Sequence, residues 1–543
     1  MSSKLHFSDS TWLKGRLSSA LPYVTLLLWL LPLLLFGAEH GSLMAHDEGL
    51  YAVRARLMFD SGNWVAPWSS AHHKTPGPYW LIAASYSLFG ISVFSVRLPS
   101  AIAGICSVLM LYEIGKIILN KQIAWLASAI LSVAFLWLQY CRLGTPDVPM
   151  IFLLLLGIWC LLQAEIHPKY RYVWGLIAGV SFGLGFLVRS FMIFLPLIGF
   201  LPYLIKEHHR HRHLTNPMLY LGFFLGLIPT LVWLWLSVIH YGDSAIEELW
   251  RFVFRLGTHE RKGNGLIYYF WNVPATAFPW SALSLLGFFL ALRRPIGQYQ
   301  LILVGCPLVI FLELTVFATR LPHYTLCLYP FMALLAAVGL YGLGEIYQHV
   351  DTGNITSGHQ KSLLRSLSYG FGGLGGLLLI AGIVVLILDK PNIHKYAAAA
   401  VGLGCGWLII LGVWLGRFRW NHKFLSVPYW LAGWLVASWL GLAVAGFTGV
   451  IGNYNPKVKA FFEQDAIAKV VHSQTVHFVD VGGKTGVLLE FYTPIHGQEL
   501  PDISQLPANS YAWIAEDKVA NLSRQYTTIG NIHNWQLIQL LNY

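Results

Sequence analysis

Long apolar runs recur in this chain from about residue 21 to residue 449, and mostly short polar segments separate them. A helix needs about 20 apolar residues to cross the hydrocarbon core of a bilayer. With no water there, the backbone must satisfy its own hydrogen bonds, so runs of this kind span as helices. Thirteen spans are expected, near 21–38, 95–115, 122–139, 148–164, 172–188, 190–205, 217–239, 270–292, 298–318, 323–343, 368–389, 395–416 and 426–449. Some are short enough that one pair could be re-entrant. Only 11% of the 543 residues are charged, and the mean hydropathy is +0.57. A soluble protein of this size needs far more surface charge. The expected fold class is an all-α polytopic membrane protein.

The net charge of +11 is explained by topology. With the N-terminus on the cytoplasmic side, the inner loops carry Lys116 and Lys121, then Lys169 and Arg171, then Lys206, Arg210 and Arg212. Arg293 and Arg294, Lys361 and Arg365, and Arg417, Arg419 and Lys423 follow. Every inner loop holds at least two cations, as the positive-inside rule requires, so nucleic acid is excluded as a partner. The six cysteines lie in or beside apolar runs with no C-x-x-C pair, and read as small core residues. The first run, with Lys4, Lys14 and Arg16 before it and no clear small-residue cleavage site, reads as an uncleaved signal anchor. Thirteen crossings put the C-terminal segment outside. Its composition changes after about Gly452, with β-like runs at Val476–Val481 and Ser510–Ala515. Two domains are expected: a membrane domain over 1–450 and a small extracytoplasmic α/β domain over 451–543.

The chemistry-bearing residues gather on the outer side. Asp47 and Glu48 follow the first apolar run and open a segment, Asp47–Phe59, in which Leu50, Val53 and Leu57 recur at helical spacing. This suits a helix lying in the membrane interface. Carboxylates in a first turn are stabilised by the helix dipole, and a plain helix cap accounts for one acid better than for two. Lys74 sits in the turn His72-His73-Lys74-Thr75-Pro76-Gly77-Pro78-Tyr79-Trp80. A fixed cation near headgroups suits a phosphate, although an aromatic belt also accommodates a lysine. Adjacent side chains such as His72 and His73 are expected to diverge, so no metal is expected there. Asp147 stands at the mouth of the fourth span, as a helix cap, a partner for Lys74 or a supporting group. Arg189 falls between two apolar runs and must meet water, an anion or a carboxylate. A long loop carries Arg251, Arg255, His259, Glu260, Arg261 and Lys262. Arg320 and His323 stand in Arg320-Leu321-Pro322-His323-Tyr324.

The blocks Asp47-Glu48-Gly49-Leu50-Tyr51-Ala52, Lys74-Thr75-Pro76-Gly77-Pro78-Tyr79-Trp80-Leu81, Leu88-Phe89-Gly90 and Arg97-Leu98-Pro99-Ser100 carry a resemblance. Together they resemble bacterial lipid-linked-sugar glycosyltransferases of the C-type fold, a group that includes the aminoarabinose transferases acting on lipid A and the protein O-mannosyltransferases. Thr145-Pro146-Asp147-Val148-Pro149 and Leu321-Pro322-His323-Tyr324 resemble further blocks of that family. The likeness covers about residues 20–345. The family's Lys-Pro-Pro is Lys74-Thr75-Pro76 here, its Lys-Gly is Arg189-Ser190, and its Lys-Leu-Pro is Arg320-Leu321-Pro322. Each keeps its charge, but Arg presents a planar fork where Lys presents a point charge.

The resemblance implies a polyprenyl-phosphate (undecaprenyl-phosphate) sugar donor and a lipid, glycan or protein acceptor, handled at the outer face of the bacterial inner (plasma) membrane. Asp47 is then the expected base, with Glu48 assisting. Lys74, Arg189, Arg320 and His323 are expected at the donor phosphate. Asp147, Tyr51, Arg54, Arg255 and Arg261 are expected at the acceptor or behind the site. A phosphate leaving group needs positive charge rather than a general acid, and one base with direct displacement predicts inversion. No D-x-D motif occurs in the first loop, so no metal cofactor is obligatory, though a divalent ion is compatible. The competing readings are a flippase for lipid-linked sugars and a non-catalytic receptor of envelope assembly. A transporter favours internal repeats and polar residues at the bilayer midplane, and no internal repeat is evident here.

Overall fold

The computed structural model describes residues 20–38, 41–258, 264–352, 358–388, 391–519 and 525–541. Among these, eight helices are long and apolar enough to cross a membrane, or up to ten if each of two bent pairs is one span. The thirteen expected stretches all appear as apolar helix, but not as thirteen full crossings. Stretches 172–188 and 190–205 join in one 39-residue run, Pro168–Lys206, broken at Ser190, whose φ is 51°. Stretch 122–139 is the pair Lys121–Ser132 and Phe135–Cys141, bent by 68°. Stretch 270–292 is Tyr268–Thr276 and Trp280–Arg293, bent by 108°. Leu21–Leu35 and Leu301–Val316 are shorter apolar helices. Hydropathy reports apolar length and not direction, so a bent pair reads like a straight span.

Small residues bring the helices together. Gly179 and Gly183 of helix Arg171–Arg189 face Gly222 and Gly226 of helix Pro217–Tyr241. A Cβ on Gly222 would lie 2.1 Å from the Leu176 carbonyl oxygen. Lipid is as apolar as leucine, so helices in a membrane associate through close backbone approach rather than through burial from water. Gly222→Ile is expected to cost roughly 1–3 kcal/mol and to lower the melting temperature in detergent. An unchanged melting temperature would mean that this contact does not hold the helices.

The first long loop folds into two helices, Glu48–Ser61 and Gly77–Phe89. The first ends at Gly62, whose φ of 65° suits glycine. It was expected to lie in the interface. Instead Tyr51, Ala52, Ala55 and Met58 are buried in an apolar cluster shared with helix Gly77–Phe89 and with the C-terminal segment. Of the stripe itself, Val53 is buried in the same cluster, whereas Leu50 and Leu57 are half-buried.

That C-terminal segment holds a five-stranded sheet: β1 (Val476–Val479), β2 (His496–Leu500), β3 (Tyr511–Ala515), β4 (Tyr526–Ile532) and β5 (Trp535–Leu540). The strand order is β2-β1-β3-β5-β4. Strand β1 is parallel to β2 and β3, while β5 is antiparallel to β3 and β4. Phe461, Phe478, Trp513 and Leu537 lie in the cluster shared with the first loop. Val479, Leu500, Ile514 and Ile538 form a separate one. Helix Gly483–Tyr492 rests on helix Glu48–Ser61. There Arg56 donates Nη1 to the carbonyls of Glu490 (3.1 Å) and Phe491 (2.9 Å), and Nη2 to that of Pro494. The expected α/β unit is therefore seated on the loop that carries Asp47.

Candidate active site

Consecutive residues of a helix point about 100° apart, and this separates the two acids. Asp47 stands at the N-terminal end of helix Glu48–Ser61 in helical geometry, with no side-chain cap bond. Its side chain is exposed and lines a cavity of about 360 Å³. Glu48 turns the other way and is 0% exposed. Its Oε1 accepts from Arg97 Nε at 2.6 Å and from the Gly144 amide at 3.1 Å. Its Oε2 accepts from Arg97 Nη2 at 2.8 Å and from the Met44 amide at 3.0 Å. Arg97 also donates to the carbonyls of Ser42 and Gly452. The expectation that Glu48 takes part in the chemistry is corrected: its lone pairs are spent on a buried knot tying the first loop to Gly144, Arg97 and Gly452.

The cavity walls come from separate parts of the chain. The first loop supplies His46, Asp47, Tyr51, His73 and Lys74. The 68° bend carries Tyr140 there, and the start of helix Asp147–Ile166 brings Asp147. The break at Ser190 places Arg189 and Ser190 on the wall. Helix Ser244–Thr258 adds Glu248, Phe252 and Arg255, and the turn after Arg320 adds Leu321, His323 and Tyr324.

Lys74 Nζ donates to the Tyr51 hydroxyl at 3.0 Å and sits 4.6 Å above the Tyr51 ring. Burial pushes its ammonium below the usual lysine range, against the pull of Tyr79. Burial likewise pushes the Tyr51 and Tyr79 phenols up to about 12. Asp147 is not the partner of Lys74. It pairs with Arg189, Oδ1 to Nη2, at 2.8 Å. The two share a mouth of the cavity, and a guanidinium offers a carboxylate more than a distant ammonium does. Arg189 Nε is buried without a hydrogen-bond partner among the described residues. A buried N–H in that state is costly unless an acceptor reaches it.

The other expected site residues are placed as follows. Arg255 is exposed on the cavity wall, and His323 lines it with its ring 5.5 Å from that of Tyr140. Arg320 does not line it. Its Nε and Nη2 donate to the Thr315 carbonyl at 3.1 and 3.0 Å, and its Nη1 to that of Asn264 at 2.7 Å. The expectation that Arg320 meets the donor phosphate is corrected: it joins two chain segments and so positions Leu321 to Tyr324. Arg54 is also outside the lining, with Nη1 3.0 Å from His72 Nε2. Of the two places expected for it, at the acceptor or behind the site, the geometry fits the second. Arg261 lies outside the described residues.

Sequence reading missed His46, His73, Tyr140 and Glu248. Glu248, Phe252 and Arg255 follow i, i+4, i+7 spacing, so the signal for that face was present. Tyr140 had none, because it reaches the wall through a bend. Among the described residues no group of three His, Cys, Asp or Glu side chains is arranged to hold a metal ion.

Residues 73–235 match the family model described as dolichyl-phosphate-mannose-protein mannosyltransferase. The chain is 30% identical over 509 residues, 87% of its length and 80% of the relative's, to the undecaprenyl phosphate-alpha-4-amino-4-deoxy-L-arabinose arabinosyl transferase 2 of Pseudomonas fluorescens. It is 28% identical over 442 residues, 77% of this chain and 73% of the relative, to the corresponding transferase of Pseudomonas aeruginosa. The fold superimposes on the crystal structure of ArnT from Cupriavidus metallidurans bound to undecaprenyl phosphate with a TM-score of 0.73 and 19% identity, covering 96% of this chain and 97% of that one. The apo form of the same protein gives 0.70, with 95% and 96% covered.

Proposed function

This chain belongs to the undecaprenyl-phosphate aminoarabinose transferase family of C-type-fold glycosyltransferases, and on that premise we propose that its cavity performs the transfer with Asp47 as base and Lys74 as the principal donor-phosphate cation. The protein is a multi-pass membrane glycosyltransferase that uses a lipid-phosphate sugar. The observation carrying the residue assignment is that an uncapped carboxylate and an ammonium not engaged with a carboxylate among the described residues stand on the walls of one cavity.

Asp47 takes the proton from an acceptor hydroxyl or phosphate. The acceptor oxygen attacks the anomeric carbon as the bond from that carbon to the phosphate oxygen breaks. Undecaprenyl phosphate departs with the electron pair, and Lys74 and Arg189 meet the growing charge. One displacement inverts the anomeric carbon. No step requires a metal. The sugar is proposed to be an amino sugar like that named for the relatives, and the acceptor a glycolipid of the cell envelope. The site is proposed to face the periplasm from the inner membrane, because the loops opposite it carry the paired cations.

An apolar cavity of about 480 Å³, lined by Phe270, Phe278, Leu285, Phe288 and Phe311 among others, supports a place for the prenyl tail. It adjoins the polar cavity: Tyr269 lines the apolar one, and its hydroxyl meets the carbonyl of Leu321, which lines the polar one, at 3.0 Å.

The test is purified protein in liposomes with undecaprenyl-phosphate aminoarabinose and a lipid A acceptor. Transfer with release of undecaprenyl phosphate is expected. Donor translocation with the sugar–phosphate bond intact would replace the enzyme reading with a flippase. Lys74→Ala should lower kcat/KM about 10²–10³-fold while the protein stays folded. The free ammonium loses its proton below the ordinary lysine range. Donor capture is therefore complete below that lowered pKa and lost as pH rises through it. The alkaline limb of kcat/KM should fall correspondingly early, and Lys74→Arg should move it upward.

A further inference from the structure

The Lys74 ammonium is held by a hydroxyl and an aromatic face, and a second layer lies behind that face. Tyr79, 0% exposed, stacks on Tyr51 with ring centroids 5.4 Å apart and planes 29° apart. The Tyr79 hydroxyl is 2.5 Å from His72 Nε2. Arg54 Nη1 reaches the same nitrogen at 3.0 Å. A guanidinium can only donate, so His72 Nε2 is the acceptor, and the ring is neutral with its proton on Nδ1. Burial, and then the positive charges of Arg54, His73 and Lys74, hold the His72 pKa well below its ordinary value. The ring is fixed by edge contacts to Trp68 at 4.9 Å and His73 at 4.5 Å.

The Tyr79 hydroxyl donates to His72 Nε2, which pins the ring stacked behind Tyr51. A lysine side chain is flexible and carries no preferred direction of its own. Something must therefore hold the Tyr51 ring and hydroxyl in place beneath the ammonium.

We propose that Arg54, His72 and Tyr79 form a brace that positions the Lys74 ammonium for the lipid-phosphate donor. None of the three lines the cavity, so they are positioning residues and act through Lys74. The proposal rests on the reading of Lys74 as the donor-phosphate cation. The groups facing Lys74 are Asp47, Tyr51 and Arg54 from the first-loop helix and its start, His72 and Tyr79 from the turn and helix beside it, and Asp147 and Arg189 across the cavity.

The test uses the full-length protein with Tyr79→Phe, His72→Phe, His72→Gln and Lys74→Ala. Each variant is assayed for kcat and KM with the undecaprenyl-phosphate donor across pH. Labelling of Lys74 by an amine-acylating reagent across pH, read by mass spectrometry, follows the ammonium without activity. Tyr79→Phe and His72→Phe should each move the labelling midpoint and the alkaline limb of kcat/KM down together, by about one pH unit, and raise the donor KM. His72→Gln, whose amide oxygen can accept from Tyr79 and Arg54, should restore the wild-type midpoint. If Lys74→Ala is inactive while Tyr79→Phe matches wild type in midpoint, limb and KM, the brace is overturned and the reading of Lys74 stands. If Lys74→Ala is fully active, that reading falls, and the labelling midpoints of Tyr79→Phe and His72→Phe still decide whether the brace holds the ammonium. Should His72→Phe fail to fold, Tyr79→Phe, which removes one oxygen, carries the test.

Discussion

Asp47→Asn is expected to abolish sugar transfer, lowering kcat by about 10³-fold, within the usual range for loss of a general base, while leaving the melting temperature unchanged. The second half of that statement follows from geometry. Asp47 makes no cap bond to its helix and is exposed to the cavity, so the exchange of an oxygen for an amide breaks no structural contact. An amide cannot accept the proton, so the acceptor oxygen must then attack with its proton still in place. The measurement is product formation by the purified variant beside a thermal melt. Wild-type turnover by Asp47→Asn would remove Asp47 from the mechanism. The product of the wild-type enzyme should have the inverted anomeric configuration, and retention would exclude a single displacement.

Glu48→Ala, one residue away, should fail differently. The variant leaves the Arg97 guanidinium buried without its carboxylate, and the Met44 and Gly144 amides without an acceptor. Removing one member of a buried pair costs about 3–5 kcal/mol, a large share of the stability of any domain. The expected result is low yield of folded protein and a much lower melting temperature in detergent, rather than a folded but inactive enzyme. Glu48→Gln, which keeps an acceptor oxygen but no charge, should fall between. A Glu48→Ala protein with wild-type melting and no transfer would place Glu48 in the chemistry after all.

These adjacent acids show how far the sequence reads. The pattern places both at the start of one helix beside a membrane face, and spacing alone cannot say which way each points relative to partners elsewhere. Glu48 meets Gly144 and Arg97, and Arg97 meets Gly452, contacts that span from tens to hundreds of residues. The cations divide in the same way. Lys74, Arg189 and Arg320 all read as candidates for phosphate. Lys74 lines the cavity beside Tyr51, Arg189 pairs with Asp147 and keeps Nε without a partner among the described residues, and Arg320 is consumed by two backbone carbonyls. Charge is a property of the residue, whereas its availability depends on which acceptors the fold brings near.

The class of the molecule is legible in the residues alone: apolar helices in a bilayer, a small α/β unit at the C-terminus, polar residues gathered on one side, and the motif blocks of a lipid-linked-sugar transferase. These are local properties, set by run length, periodicity and residue type within a few tens of positions. It took the folded molecule to show that the first-loop helix packs against the C-terminal unit, that helix bends bring Tyr140 to the wall, and that Asp47 faces the cavity while Glu48 faces Arg97. Those outcomes depend on packing and hydrogen bonding between distant segments, where burial selects one partner among several that the local pattern permits equally.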